Sequence, residues 1–147
     1  MRGALCGATY MHLLVDMRIE YWSDNSGKWY ADGLKLDRDS NYYRHEQAEI
    51  PRTTQVIAVK CRDFGGGYGI AAWLANGVVT DESWKCTNHE PDDDWTQIGY
   101  DDAGWPRAVV NPRPRRVFSN GEPYNVIWAD CDGRQDGCKT VYCRKAI

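Results

Sequence analysis

The sequence lacks long apolar runs and sustained helical periodicity. Among its 147 residues, no stretch approaches the roughly 18–20 consecutive apolar residues that a membrane-spanning helix needs. The N-terminal segment mixes polar and apolar side chains, so no signal peptide is visible there. No segment repeats apolar residues at the 3.6-residue spacing of an amphipathic helix. These absences predict a chain without a membrane span and favour a fold built from strands.

The sequence also lacks a large excess of charge of either sign. The formal net charge is only −3, with 18 Lys and Arg against 21 Asp and Glu. A protein that binds nucleic acid through the phosphate backbone needs a strongly basic surface. We therefore expect no nucleic-acid partner for this chain.

Closely spaced cysteine doublets are missing, although six cysteines are present. A structural zinc site uses close ligand pairs, so we do not expect one. An even number of scattered cysteines is typical of disulfide bonds, and the sequence alone leaves their pairing open. Disulfides persist in oxidising compartments, so the cysteines predict a secreted, extracellular protein whose leader has been removed.

Short strands are what the sequence does contain. Apolar and polar residues alternate from Met11 to Tyr21, which is the period of a strand with one buried face. Residues 55–61 are rich in β-branched side chains and predict a central strand. Asp32-Gly33 and Asn76-Gly77 are typical of hairpin turns. We predict an all-β sandwich or barrel of about eight short strands that forms one domain over residues 1–147.

Several spaced motifs together resemble a known family. Asn76-Gly77 is followed by a segment that ends in Ser83-Trp84-Lys85, and a later turn contains Asp101-Asp102 before Trp105-Pro106. From about Met11 onwards the chain resembles the galactose-binding-domain-like jelly-roll sandwiches, in particular extracellular and glycosidase-associated sugar-binding modules. The resemblance implies a disulfide-stabilised jelly-roll β-sandwich with a carbohydrate ligand. Because this fold also carries adhesion and matrix functions, the resemblance does not choose among them.

The resemblance also suggests how the cysteines pair. The family places the strand ends that carry Cys61 and Cys86 close together. Two further cysteines flank a short glycine-containing loop, and the last two would join the first strand to the final one. The expected disulfides are the pairs Cys61–Cys86, Cys131–Cys138 and Cys6–Cys143.

Residues 80–108, TDESWKCTNHEPDDDWTQIGYDDAGWPRA, combine three tryptophans with many carboxylates. Paired carboxylates can hydrolyse glycosidic bonds when they face each other. Adjacent Asp101 and Asp102 on a turn point in divergent directions, so we predict a scaffold in which Trp105 lies beneath an aspartate-capped turn. Trp84 and Trp95 are expected to pack nearby. We therefore predict no catalytic residues and expect that the protein is not an enzyme.

Three consecutive carboxylates, Asp92, Asp93 and Asp94, form a second acidic feature. Calcium takes six to eight oxygen ligands from carboxylates and loop carbonyls, and such a loop supplies both. The alternative is a solvated acidic loop. A structural Ca²⁺ ion therefore stays an open expectation.

Two segments suit sugar recognition. A pyranose binds to a flat aromatic face and to planar hydrogen-bonding groups, and a polar loop with adjacent tyrosines offers both. The alternative is an ordinary surface loop anchored by one tyrosine. A second candidate lies at the first turn. The predicted carbohydrate-binding residues are Asn41, Tyr42, Tyr43, Arg44, His45 and Glu46 in the loop, with Trp22 and Asp24 at the turn.

Taken together, the residues and the resemblance predict a secreted, lectin-like module that binds glycans or glycoproteins through loops at one end of the sandwich. Single sites of this kind are weak, so a homo-oligomer that raises avidity is a further expectation. A structural or adhesive extracellular-matrix protein without a small-molecule ligand is the alternative.

Overall fold

The computed structural model describes residues 15–37, 43–111, 124–133 and 138–147. Within these ranges it has ten β-strands and a short 3₁₀ turn, and none of the described residues belongs to a helix able to span a membrane. The elements are β1 (Asp16–Asp24), β2 (Ser26–Ala31), β3 (Leu34–Lys35), β4 (Glu46–Pro51), β5 (Val56–Arg62), β6 (Gly69–Leu74), β7 (Lys85–Thr87), β8 (Val109–Val110), β9 (Ile127–Trp128), the turn Cys131–Gly133, and β10 (Thr140–Ala146).

The strands form two five-stranded antiparallel sheets. The first sheet has the order β4-β1-β6-β9-β8, and the second has the order β3-β2-β5-β10-β7. Buried side chains from both sheets share one core cluster, so the sheets pack face to face. The prediction of an all-β, disulfide-stabilised sandwich is confirmed.

The core follows the two-residue period of the strands. In β1, Met17, Ile19 and Tyr21 are all less than 2% exposed and face the second sheet. Trp29 of β2 packs against Tyr21 with ring centroids 5.1 Å apart. Its buried Nε1 donates a hydrogen bond to Ser23 Oγ at 2.8 Å, which satisfies the polar atom of the indole. Tryptophan and tyrosine side chains therefore fill part of the core beside the aliphatic residues.

The predicted strands and turns largely agree with the structure. The β-branched run becomes β5, which lies between β2 and β10 in the second sheet. The alternating segment becomes β1, although residues 11–14 lie outside the described ranges. Asp32-Gly33 joins β2 to β3 with positive φ angles of 49° and 82°, as a tight hairpin requires.

The disulfides correct two of the three predicted pairs. Cys131–Cys138 is confirmed, but Cys86 bonds to Cys143, so Cys61–Cys86 and Cys6–Cys143 are wrong. The reason is strand register, because β10 lies between β5 and β7. This order sets Cys143 directly opposite Cys86 with their Cα atoms 4.1 Å apart. Cys61 is buried in the core, and Cys6 lies outside the described residues.

The loop of residues 88–106, here called the acidic loop, covers the outer face of the second sheet. Trp95 packs edge-on against Tyr142 of β10 and Tyr30 of β2, with centroids 5.4 and 5.9 Å apart. Trp105 and Tyr100 extend this cluster towards solvent. Trp84, just before the loop, is fully buried in the main core. The scaffold interpretation therefore agrees with the packing of Trp95 and Trp105, whereas Trp84, predicted to pack nearby, lies in the main core instead.

A buried arginine holds the acidic loop in place. Arg144 of β10 is 4% exposed, and its guanidinium forms an ion pair with Asp102. Its Nε donates to Trp95 O at 2.7 Å and its Nη2 donates to Gln97 O at 2.9 Å. The guanidinium carbon also lies 5.1 Å from the centroid of the Tyr100 ring. One cation therefore satisfies several loop oxygens that would otherwise be buried without donors.

Replacing Arg144 with alanine is expected to lower the free energy of unfolding by about 3 kcal/mol or more, because a partly buried carboxylate and several carbonyls lose their donor. The matched control is Arg107→Ala, since Arg107 and its partner Glu82 are 70% and 69% exposed. Breaking such an exposed pair should change stability by less than about 1 kcal/mol. Urea denaturation of both variants measures the difference, and equal losses would contradict this role of Arg144.

The phenol of Tyr142 lies in the same covered face. Burial raises the pKa of Tyr142, and the negative charge of Glu90 raises it further. Unfolded tyrosine ionises near about pH 10, so above that pH the unfolded chain releases this proton before the folded chain does. The contribution of Tyr142 to stability is therefore complete below about pH 10 and declines as the pH rises from there through the folded pKa.

The predicted result is a fall in the free energy of unfolding above about pH 10 that is smaller in Tyr142→Phe than in the wild type. Urea denaturation between about pH 8 and 11 provides the measurement. Identical slopes in the two proteins would show that the phenol ionises as readily in the folded chain as in the unfolded one.

Candidate functional site

The outer face of the first sheet carries an unusual group of polar and aromatic side chains. Residues that alternate with the core positions point outwards, and direct cross-strand partners share a face. Glu20 of β1 has Gln47 of β4 on one side and Trp73 of β6 on the other. We call this surface the β1 face, and it contains Arg18, Glu20, Trp22, Asp24, Gln47, Glu49, Gly69, Ala71 and Trp73.

A buried carboxylate lies in the middle of the β1 face. Glu20 is 4% exposed, although it points away from the core. Gln47 Nε2 donates a hydrogen bond to Glu20 Oε1 at 2.7 Å, and His45 Nε2 lies 3.2 Å from the same oxygen. Burying a carboxylate is costly unless such partners replace water. Glu20 therefore fixes both the β4 strand and the preceding loop against β1.

An aromatic cluster adjoins this carboxylate. Trp22 is 2% exposed and packs with Ala71 and Val126, while Trp73 and Tyr124 pack against them from positions nearer the surface. Gly69 permits the close approach, because a Cβ atom there would clash with Val126 Cγ1 and lie 3.1 Å from the Trp22 ring. Trp22 therefore forms the floor of the cluster, and Trp73 forms its accessible part.

The accessible indole is in contact with a cation. The guanidinium carbon of Arg18 lies 5.4 Å from the centroid of the Trp73 ring. Arginine stacks readily on indole because its planar, weakly hydrated cation is attracted to the ring face. The contact holds the Arg18 side chain over β6.

The β1 strand ends at Asp24, which is 3% exposed. Its neighbour Asn25 connects the two sheets, since Asn25 N donates to Arg62 O at 3.0 Å. Asn25 Oδ1 in turn accepts a hydrogen bond from Phe64 N at 2.7 Å. This end of the β1 face is therefore fixed to the loop that follows β5.

The structure brings together some of the residues predicted to bind sugar. Glu20 connects His45, from the loop candidate, to the face that carries Trp22 and Asp24, from the turn candidate. Tyr43 is 81% exposed. Arg44 Nε lies 3.9 Å from Glu46 Oε1 in an exposed ion pair, and Glu46 begins β4. Asn41 and Tyr42 lie outside the described residues. As carbohydrate contacts, all eight residues stay predictions.

The predicted calcium ligands lie on the other side of the molecule. Asp92, Asp93 and Asp94 are exposed in the acidic loop over the second sheet. The Asp92 and Asp94 carbonyls accept hydrogen bonds from Trp95 N and Gln97 N, at 3.2 and 3.0 Å. Across the parts of the chain that the structure describes, no three His, Cys, Asp or Glu side chains converge as a metal site. The calcium site stays a prediction.

Sequence reasoning missed Glu20, Gln47 and Trp73. Glu20 is an outward position of the alternating segment, and Trp73 lies shortly before the predicted Asn76-Gly77 turn. Their proximity depends on the register of β1 with β4 and β6, which no local pattern encodes. Gln47 directly follows the loop candidate of residues 41–46, and the structure places it in β4.

Comparison with known proteins gives one partial match. An alignment over 52 residues is 52% identical to an α-L-rhamnosidase from Streptomyces avermitilis, and the match covers 29% of this chain. The chain spans only 5% of the length of that enzyme. No family model and no solved structure matches the chain. The partial match and the two-sheet architecture are compatible with a glycosidase-associated β-sandwich module.

The close packing around Gly69 predicts that a larger residue at this position lowers stability. Gly69→Ala is expected to destabilise the protein by about 1–3 kcal/mol, because the added methyl group must displace Val126 or Trp22. Gly104→Ala is the matched control, since nothing lies within 4 Å of a Cβ atom at that position. Thermal unfolding measures both. A Gly69 variant as stable as the control would contradict the packing of this cluster.

Proposed function

We propose that this chain is a carbohydrate-binding module of the galactose-binding-domain-like type that recognises glycans on the β1 face. The observation that carries the proposal is the half-buried Trp73 beside Glu20, whose oxygen is held by Gln47 and His45. The part of this indole that Arg18 leaves accessible supplies apolar surface for the C–H face of a sugar, and the exposed Gln47 beside it binds hydroxyls. Together they supply both requirements of sugar recognition.

The partial match supports a carbohydrate ligand and suggests the first one to test. Because the matched protein is named as an α-L-rhamnosidase, glycans with terminal α-L-rhamnose are the first candidates. The match covers a small part of that enzyme, so its activity does not transfer to this chain.

Binding without hydrolysis is part of the proposal. The buried carboxylates Glu20 and Asp24 are four residues apart on one strand, which corresponds to about 13 Å. Glycosidases hold their two carboxyl groups about 5–9.5 Å apart. The spacing of this pair therefore supports a binding module rather than an enzyme.

Secretion and calcium also belong to the proposal. Two disulfides in the described residues support an oxidising compartment. A calcium ion at Asp92, Asp93 and Asp94 would stabilise the acidic loop by neutralising three exposed carboxylates. A homo-oligomer would raise the avidity of a weak single site.

The test is a glycan array that includes α-L-rhamnosyl glycans, run with and without EDTA. Trp73→Ala is expected to weaken binding of any glycan hit about tenfold or more, which corresponds to about 1.4 kcal/mol. Gln47→Ala should also weaken binding, whereas Gln97→Ala makes the same chemical change in the acidic loop over the other sheet and should not. Thermal unfolding confirms that each variant is folded.

The outcomes separate the parts of the proposal. An array without hits, combined with self-association or surface adhesion, would favour the adhesive matrix alternative. Equal effects of Gln47→Ala and Gln97→Ala would move the site away from the β1 face. Unchanged binding and unchanged thermal stability in EDTA would rule out the calcium ion, and turnover of a glycoside would show an enzyme.

A further inference from the structure

Arg18 is a cation on the β1 face with two carboxylates nearby. It is exposed, and Glu49 lies directly opposite it on β4. Asp16 lies two residues earlier on the same side of β1. Yet within the described part of the chain the guanidinium forms no ion pair with either carboxylate and lies over the Trp73 ring. The arginine is therefore positioned by an indole rather than by a charge.

A guanidinium held over an indole is well suited to bind a carboxylate. The attraction between the cation and the ring face leaves the N–H donors available for an acceptor. These donors match the two oxygens of a carboxylate in a bidentate arrangement, which adds geometric specificity to the charge. Because the Trp73 contact already orders the side chain, less conformational entropy is lost on binding.

The accessible part of the β1 face is its Arg18 end. Arg18 and Gln47 are exposed there, whereas Glu20, Trp22 and Asp24 are 4% exposed or less. A sugar bound at Trp73 and Gln47 would therefore have Arg18 beside it. The buried Glu20 does not compete for the guanidinium, because Gln47 and His45 already bind its oxygen.

We propose that Arg18 is a specificity residue that binds the carboxylate of an acidic sugar, packed beside it against the part of the Trp73 indole that Arg18 leaves accessible. The inference rests on the proposed function and names its ligand class as glycans that carry a carboxylate. Uronic acids and sialic acids both supply this group. Glu49 and Asp16 oppose an anionic ligand, so the bidentate contact with Arg18 has to outweigh their repulsion.

The experiment measures dissociation constants for matched glycan pairs. One pair differs only in glucose against glucuronic acid, and a second differs in terminal galactose against the same glycan capped with sialic acid. The wild type is expected to bind the acidic member of at least one pair about tenfold more tightly, as one charge-assisted contact provides. The pair that shows the preference identifies the source of the carboxylate.

The variants test whether Arg18 is responsible for the preference. Arg18→Gln should reduce the ratio of acidic to neutral affinity to about one, since the charge is lost. Arg18→Lys should retain part of the preference because it keeps the charge without the planar donor geometry. Arg107→Gln, which removes an exposed arginine elsewhere, should keep the wild-type ratio.

The other outcomes contradict either the role of Arg18 or the proposed function. If the wild type binds the neutral members as tightly as the acidic ones, the inference is wrong while the proposed function stands. If Arg18→Gln keeps the wild-type preference, another residue binds the carboxylate. If the wild type binds no member of either pair and no glycan on the array, the proposed function fails and the inference fails with it.

Discussion

The packing of the acidic loop over the second sheet depends on the hydrogen-bonding requirement of one buried guanidinium. Arg144 needs acceptors because it is almost fully buried, and the acidic loop supplies carbonyl oxygens and the Asp102 carboxylate. This arrangement fixes the loop over the second sheet and places Trp95 on Tyr142. On the outer face of the first sheet, by contrast, Arg18, Gln47 and Glu49 are exposed and Trp73 is half-buried, which is why the proposed function places a ligand there.

Local patterns predicted most of the fold, and non-local register explains the errors. The strands β1 and β5 follow from side-chain alternation and β-branched residues, which are properties of neighbours in the chain. The disulfide Cys86–Cys143 joins residues 57 positions apart and exists because β10 lies beside β7. The sequence does not encode that neighbour relation in any local segment, so pairing by analogy failed at Cys61.

The candidate site could be predicted only in part for the same reason. The aromatic and polar residue types predicted Trp22 and the loop that contains His45 as candidates. Their actual relation passes through Glu20, which looked like one polar residue in an alternating strand. The structure also reverses the expected exposure, since Trp22 is the floor of its cluster and Trp73 is the accessible indole.

Under the proposed function, the buried Glu20 acts through its partners, since it is itself only 4% exposed. A buried ion pair or hydrogen-bonded carboxylate is weak evidence for stabilisation, because an apolar pair of similar volume is often as stable. Such a group does hold its hydrogen-bond partners, here Gln47 and His45, in one orientation before any ligand arrives, and this lowers the entropy lost on binding. Gln47 and His45 fix the Glu20 carboxylate, and Trp73 fixes the Arg18 guanidinium, so the β1 face presents its polar groups on a rigid sheet.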